Sequence, residues 1–182
     1  MPRLPNMTDR DEVPGELTGA YDRVAALRNG AVSGPYGVLL HSPELAEQAA
    51  AVGQYVRWNS DLTPAQRETA IMTVARQFDA RLMWGAHVRL AREAGVREEV
   101  IKAIGQRANL GELAENEAAI IRYVRELLHT NRVTNRAFEE LRTLLGNRGI
   151  VDLTGLIGYY ALVGFTLNAF EIEPADGAES LP

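Results

Sequence analysis

"ETAIMTVARQFDARLMWGAHVRLAREAG", residues 68–95, carries an acid and a histidine on two successive helical patterns. In the first pattern, Ile71 and Val74 recur at the three-residue spacing of a buried helical face, and Glu68 precedes Ile71 on that face. A carboxylate that faces a core has to be paired, because its desolvation is costly. Two interpretations follow from this position: Glu68 forms a structural ion pair with an arginine, or it belongs to a proton-transfer site.

The second pattern places His87 on an apolar helical face that it shares with Met83 and Trp84. A single histidine on such a face is explained either by packing or by proton transfer, and periodicity alone favours packing. Neither His41 nor His129 forms a metal-binding spacing such as HxH or HExxH with His87. We therefore expect no metal site, and both interpretations of His87 stay open at this point.

Helix signals run along the whole chain and predict an all-α fold of about seven or eight helices. The sharpest is TPAQ at residues 63–66, which combines an N-cap threonine, a proline in the first turn and a capping-box glutamine. No segment shows the sustained period-two alternation of half-buried strands. The expected helices cover residues 16–27, 42–58, 63–78, 80–94, 97–106, 115–129, 134–145 and 152–170.

The length of 182 residues, of which 46% are apolar, is suited to a single core. We expect a flexible N-terminal segment over residues 1–15 and one domain over residues 16–170. Residues 171–182 form an acidic C-terminal tail that is rich in small side chains.

Charge and cysteine content exclude several function classes. The net charge of −5, with arginines scattered along the chain, provides no basic patch for nucleic acid. The absence of cysteine removes disulfides, thiolate metal ligands and thiol nucleophiles together. The remaining partners are a small-molecule substrate and further copies of the same chain.

An apolar run over residues 150–170 is long enough to cross a bilayer. However, Asp152 and Asn168 interrupt it, no basic flank follows, and small residues recur at every third position from Gly155 onward. We therefore favour a buried core helix or a subunit-interface helix over a membrane span. The N-terminal sequence has no apolar stretch typical of a secretory signal, so we expect a cytoplasmic location.

Taken together, residues 68–95 resemble the carboxymuconolactone decarboxylase family, which includes the alkylhydroperoxidase D (AhpD)-like proteins. In the redox branch of that family, two helices carry the pattern E-x11-C-x2-C-x3-H. Glu68 and His87 have the matching separation of 19 positions (87 − 68), whereas Ala80 and Met83 occupy the two cysteine positions. The resemblance extends loosely over residues 39–170.

The resemblance implies an AhpD-like helical bundle that assembles as a homo-oligomer (a dimer, trimer or hexamer) and uses no cofactor. Peroxide reduction in this family requires a thiolate and a resolving cysteine, and neither Ala80 nor Met83 can serve as one. The cysteine-free branch resembles the decarboxylases instead. His87 is then implied as the proton donor or oxyanion stabiliser, with Glu68 orienting it or acting as the acid itself.

The resemblance also implies a pocket for a small carboxylated lactone or related acid. Trp84 and Met83 are expected as apolar contacts on the histidine helix, and Tyr36 or His41 is expected to close the pocket. The candidate carboxylate-binding arginines, which the sequence does not rank, are Arg57, Arg76 and Arg81. Isomerisation, cyclisation, lactone hydrolysis and a non-catalytic oligomeric binding role stay open as alternatives.

Overall fold

The structure, a computed structural model, describes residues 2–182, which form eight α-helices and no strand. The helices are α1 (Thr18–Leu27), α2 (Tyr36–Leu39), α3 (Pro43–Gln54), α4 (Pro64–Gln77), α5 (Arg81–Glu93), α6 (Glu98–Gly105), α7 (Glu115–Thr130) and α8 (Asn135–Ala169). Short 3-10 turns precede α1, and a π-helical turn (Tyr55–Asn59) follows α3. The all-α prediction is therefore confirmed.

Helix starts follow the sequence signals in part. Thr63 accepts a hydrogen bond from the backbone of Gln66, whose side chain accepts one from the backbone of Thr63, so the predicted capping box begins α4. Pro43 begins α3 as expected, but Ser42 forms no capping hydrogen bond through its side chain. The predicted helix to residue 58 changes to π-helical geometry after Gln54.

The last two predicted helices together make up α8, which is broken at Gly146, the glycine predicted to separate them. This glycine has a φ of 70°, a left-handed value that side-chain-bearing residues rarely adopt. By length and composition α8 could cross a membrane, yet 61% of its most apolar 18-residue window is buried inside the molecule. This burial favours the predicted role of a core helix.

One element, α2, was not predicted. Its four residues lie in a stretch punctuated by glycine and proline, where local sequence gives no helix signal. All four are buried, and α2 packs against α3. Tertiary burial therefore stabilises a turn of helix that intrinsic propensity does not favour.

Two apolar clusters hold the bundle together. The main cluster surrounds α4, in which eight consecutive residues, 68–75, are buried while α5, α6, α7 and α8 pack around it. The second cluster joins α1, α2 and α3 and includes Met7 and Val13 from the N-terminal segment. Residues 7 and 13 thus lie in a packed environment, and the flexibility of residues 1–15 stays a prediction.

The acidic tail lies along α5. Glu179 forms an ion pair with Arg92, and Leu181 packs against the main cluster. The boundary that we predicted between the domain and this tail stays a prediction.

Candidate functional site

Two neighbouring helices bring the predicted acid and histidine into direct contact. Glu68 on α4 and His87 on α5 lie in the centre of the bundle, with 4% and 6% of their surfaces exposed. The distance between Glu68 Oε2 and His87 Nδ1 is 2.6 Å, a strong hydrogen bond. The contact satisfies the buried carboxylate, as the sequence pattern required.

The protonation of this pair follows from burial. Burial lowers the pKa of His87, because desolvation of the imidazolium outweighs the opposing hydrogen bond and charge of Glu68. A neutral imidazole carries one hydrogen, and the carboxylate can only accept, so Nδ1–H donates to Glu68. Nε2 is then left with its lone pair, and it has no hydrogen-bond partner within residues 2–182.

The ring of His87 forms part of the wall of a cavity of about 420 Å³. The apolar part of the wall includes Met83 from α5 and Val163 from α8. The polar part is formed by two arginines and three tyrosines: Arg28, Arg57, Tyr36, Tyr159 and Tyr160. A small organic acid fits such a site, which combines apolar surface with a few placed polar groups.

Three tyrosine side chains contribute hydroxyl groups to this cavity. The hydroxyls of Tyr36 and Tyr159 lie 2.7 Å apart, and Tyr160 lies edge-on to His87 with ring centroids 5.3 Å apart. Burial raises the pKa of Tyr36 and of Tyr160, so both hydroxyls keep their protons at neutral pH. Gly53 permits this arrangement, because a Cβ at that position would collide with the Tyr159 hydroxyl.

The π-helical turn after α3 places Arg57 and Trp58 at the cavity. Arg57 Nη1 donates a hydrogen bond of 2.5 Å to the hydroxyl of Tyr160. Burial alone would lower the pKa of Arg57, but the oxygens of Tyr160 and Glu68 raise it, so the guanidinium is positively charged. A charged donor thus polarises the hydroxyl beside His87.

The structure brings some predicted site residues together and separates others. Tyr36, Met83 and His87 line the cavity, with Glu68 behind His87. Trp84 does not line it: one helical step from Met83, its ring turns into the main core and packs against Gly105 of α6. His41 is exposed and lies outside the cavity wall, with Nε2 3.0 Å from the carbonyl oxygen of Pro5.

The three arginines that the sequence left unranked are now distinguished. Arg57 lines the cavity. Arg76 forms an ion pair with Asp79, and Arg81 lies 3.8 Å from a carboxylate oxygen of Glu173. Of these three arginines, only Arg57 can therefore contact a ligand in this cavity.

Sequence analysis did not select several residues of the wall, and three of them are polar groups that matter for the chemistry. Arg28 follows the last turn of α1 and carries no local signal, because its approach to the cavity depends on how the N-terminal helices pack. Tyr159 and Tyr160 lie in the apolar run of α8, where the sequence does not separate packing from ligand contact. Within residues 2–182 there is no group of three or more histidine and carboxylate side chains that could hold a metal.

Comparisons with known proteins agree with the fold. The sequence model of the carboxymuconolactone decarboxylase family matches residues 43–126, which include Glu68 and His87. No curated protein sequence matches the chain.

Two solved structures resemble this one. A protein of unknown function from Agrobacterium tumefaciens, provisionally named an antioxidant defence protein AhpD, is 20% identical with a TM-score of 0.65, covering 76% of this chain and 95% of its own. An uncharacterised peroxidase-related protein from Silicibacter sp. TM1040 is 17% identical with a TM-score of 0.73, covering 97% of this chain and 95% of its own. Both likenesses show the fold, so the predicted AhpD-like bundle is confirmed.

Proposed function

We propose that this chain is a cofactor-independent enzyme that transfers protons on a small carboxylated lactone or related acid. The chain belongs to the carboxymuconolactone decarboxylase family through residues 43–126. Decarboxylation is the first choice of reaction. The observation that carries the proposal is the Glu68–His87 hydrogen bond, which fixes Nδ1 and leaves Nε2 free on a histidine that lines a cavity. A histidine with a merely structural role needs no such cavity.

The proposed decarboxylation conserves atoms and charge. The bond between the substrate carbon and its carboxylate breaks, carbon dioxide leaves, and the bonding electron pair is delocalised as a dienolate. His87 Nε2 takes a proton from a solvent water molecule, which becomes hydroxide, and delivers that proton to the carbon. The carboxylate and water are thus converted to carbon dioxide and hydroxide overall. Glu68 stabilises the transient imidazolium, in the way that a carboxylate supports a catalytic histidine in other enzymes.

The dienolate oxygen needs a hydrogen-bond donor, and Tyr160 is the group we assign to that role. Its hydroxyl already accepts a hydrogen bond from Arg57, so its own hydrogen is available to the substrate. Arg57 polarises this donor and adds positive charge near the developing oxyanion. The apolar wall that includes Met83 and Val163 would solvate a carboxylate poorly and thus favours its loss as neutral carbon dioxide.

A thiol-dependent peroxidase is disfavoured by composition. The chain has no cysteine, and the positions that correspond to the redox pair hold Ala80 and Met83, both buried. Neither side chain forms a disulfide with a second residue.

The neutral state of His87 supports one other reaction class. A free imidazole can remove a proton from a carbon acid at Nε2 and return it elsewhere, which is isomerisation or cyclisation with the same residues. Lactone hydrolysis, with His87 activating water, is a third possibility. A non-catalytic binding protein would keep the cavity without any need for the free Nε2.

The test is carbon dioxide release from a panel of carboxylated butenolides by the purified protein. His87→Asn and Glu68→Gln are expected to lower kcat/KM by about 100-fold or more, the size of a general acid–base contribution. The matched controls His41→Asn and Glu93→Gln change exposed residues outside the cavity and are expected to keep full activity. Carbon dioxide release that survives both cavity substitutions would refute the mechanism. Proton exchange or ring opening without carbon dioxide release would select an alternative reaction.

Assembly and location are also part of this proposal. We propose a cytoplasmic homo-oligomer, as the family resemblance implies. Val151 and Phe165 on α8 support self-association, because 68% and 58% of their surfaces are exposed in a single chain.

A further inference from the structure

We propose that Arg28 and Arg57 together bind the carboxylate of a planar, unsaturated acid, and that Arg28 comes from a segment outside the family-matched region to complete this site. The inference rests on the proposed function, because it names the group that anchors the substrate of that reaction: a second carboxylate, which the decarboxylation retains. It selects Arg57 from the candidate carboxylate-binding arginines and adds Arg28, which no sequence pattern identifies.

The first argument is unpaired charge. Neither Arg28 nor Arg57 has a carboxylate within 4.0 Å among residues 2–182, although most arginines of the chain do. The Nε atoms of both are buried without a hydrogen-bond partner. A buried donor on a charged group is costly to leave unsatisfied, so two of them beside one cavity indicate an absent acceptor.

The second argument is the shape of the acceptor. A guanidinium presents parallel N–H groups that match the two oxygens of a carboxylate, and this geometry distinguishes it from a point charge. Three tyrosine rings and the Trp58 ring share the cavity wall with the two arginines. Flat aromatic surfaces favour a flat ligand, so a conjugated acid fits better than a flexible aliphatic one.

The third argument is how Arg28 is held. Its guanidinium carbon lies 4.1 Å from the centroid of the Tyr36 ring, a cation–π contact that fixes the group at the cavity. Tyr36 belongs to the second apolar cluster, which α1, α2 and α3 form with the N-terminal segment. Residues 28 and 36 precede the matched region 43–126, so this cluster adds a wall that the family pattern does not contain.

Charge balance further limits the ligand. Arg28 and Arg57 contribute two positive charges, Glu68 contributes one negative charge, and His87 is neutral, which leaves one positive charge. The positive charges of Arg57 and Arg28 also help to lower the pKa of His87, after burial as the main cause. A carboxylate bound between the arginines offsets these charges, so its binding is expected to raise the pKa of His87 and make Nε2 a stronger base.

The experiment uses benzoate as the probe and benzamide as its neutral isostere, so it requires no turnover. Isothermal titration calorimetry measures both affinities, and quenching of Trp58 fluorescence locates the site, since the second tryptophan, Trp84, is buried outside the cavity. Benzoate is expected to bind at least about tenfold more tightly than benzamide. Arg28→Gln and Arg57→Gln are each expected to weaken benzoate by about 10- to 100-fold, the range for a lost charge-assisted hydrogen bond, with little effect on benzamide.

Controls keep the result interpretable. Arg132→Gln removes an exposed arginine outside the cavity and is expected to leave benzoate affinity unchanged. If circular dichroism shows that Arg28→Gln does not fold, Arg28→Lys takes its place. Lysine keeps the positive charge but lacks the parallel N–H groups of the guanidinium, so this variant is still expected to bind benzoate more weakly than the wild type. The carboxylate site would be overturned by equal affinities for benzoate and benzamide, or by no detectable benzoate binding. It would also be overturned by unchanged benzoate affinity in the arginine variants, or by inorganic phosphate binding as tightly as benzoate. Charge-dependent benzoate binding in a protein that releases no carbon dioxide would refute the proposed function but keep this site.

Discussion

Replacing His87 by asparagine should remove a specific pH dependence of stability. Burial lowers the pKa of His87 in the folded chain below its usual value of about 6.5 in the unfolded chain. As the pH falls below about 6.5, the unfolded chain binds a proton at this residue that the folded chain does not bind. The free energy of unfolding therefore decreases as the pH falls, with a slope of up to about 1.4 kcal/mol per pH unit. The decrease ends when the pH reaches the folded-state pKa.

The measurement is urea denaturation between about pH 7.5 and about pH 5, with protein concentration held fixed because self-association also changes stability. Asparagine is chosen because its amide N–H can still donate to Glu68, whereas alanine would leave a buried carboxylate unpaired at a cost of about 3 kcal/mol or more. The wild-type minus His87→Asn difference is expected to shrink by up to about 1.4 kcal/mol from about pH 6.5 to about pH 5.5. The His41→Asn variant, which loses an exposed histidine, should follow the wild type. A difference that instead grows as the pH falls would mean a cationic His87 and would refute the neutral dyad.

Three other predictions follow from the structure. Gly53→Ala should destabilise the protein by about 1–3 kcal/mol, because the new methyl group collides with the Tyr159 hydroxyl. Gly155→Ala, whose new methyl group would have no neighbour within 4 Å, should instead stabilise it by up to about 1 kcal/mol. Equal effects of the two substitutions in thermal unfolding would contradict the close approach of Gly53 to Tyr159. Thr63→Ala should cost about 1 kcal/mol by removing the cap that pairs with Gln66, and an unchanged urea midpoint would contradict this. The protein mixed with an alkyl hydroperoxide and a dithiol reductant should give no consumption above buffer in a peroxide assay, and measurable turnover would overturn the exclusion of thiol-type peroxidase chemistry.

Features with local sequence signals were predictable, and the helices illustrate this. The capping box at Thr63 and the glycine break at Gly146 both have a local backbone cause, so the sequence places them correctly. The helix α2 was missed because its stability comes from burial against α3 and not from propensity. The π-helical turn that carries Arg57 was read as ordinary helix, since the two forms share the same local preferences.

The candidate site shows the same division. Glu68 and His87 were found because each interrupts an apolar helical face, and the two faces pack together. Trp84 was expected in the wall of the cavity beside His87. It is the next residue after Met83 on the same helix, and this rotation about the helix axis points its ring into the main core and away from the cavity. Arg28 could not be found, because only the packing of α1 and α2 against the bundle brings it to His87.

The central claim is that His87 is neutral, donates through Nδ1 to Glu68 and presents a free Nε2 to the cavity. Two-dimensional ¹H–¹⁵N NMR of the histidine side chains at neutral pH tests it directly, since the chain has only three histidines and the His87→Asn variant assigns the signal. The account predicts a protonated Nδ1 and an unprotonated Nε2 for His87. A doubly protonated ring, or a hydrogen on Nε2 alone, would contradict it.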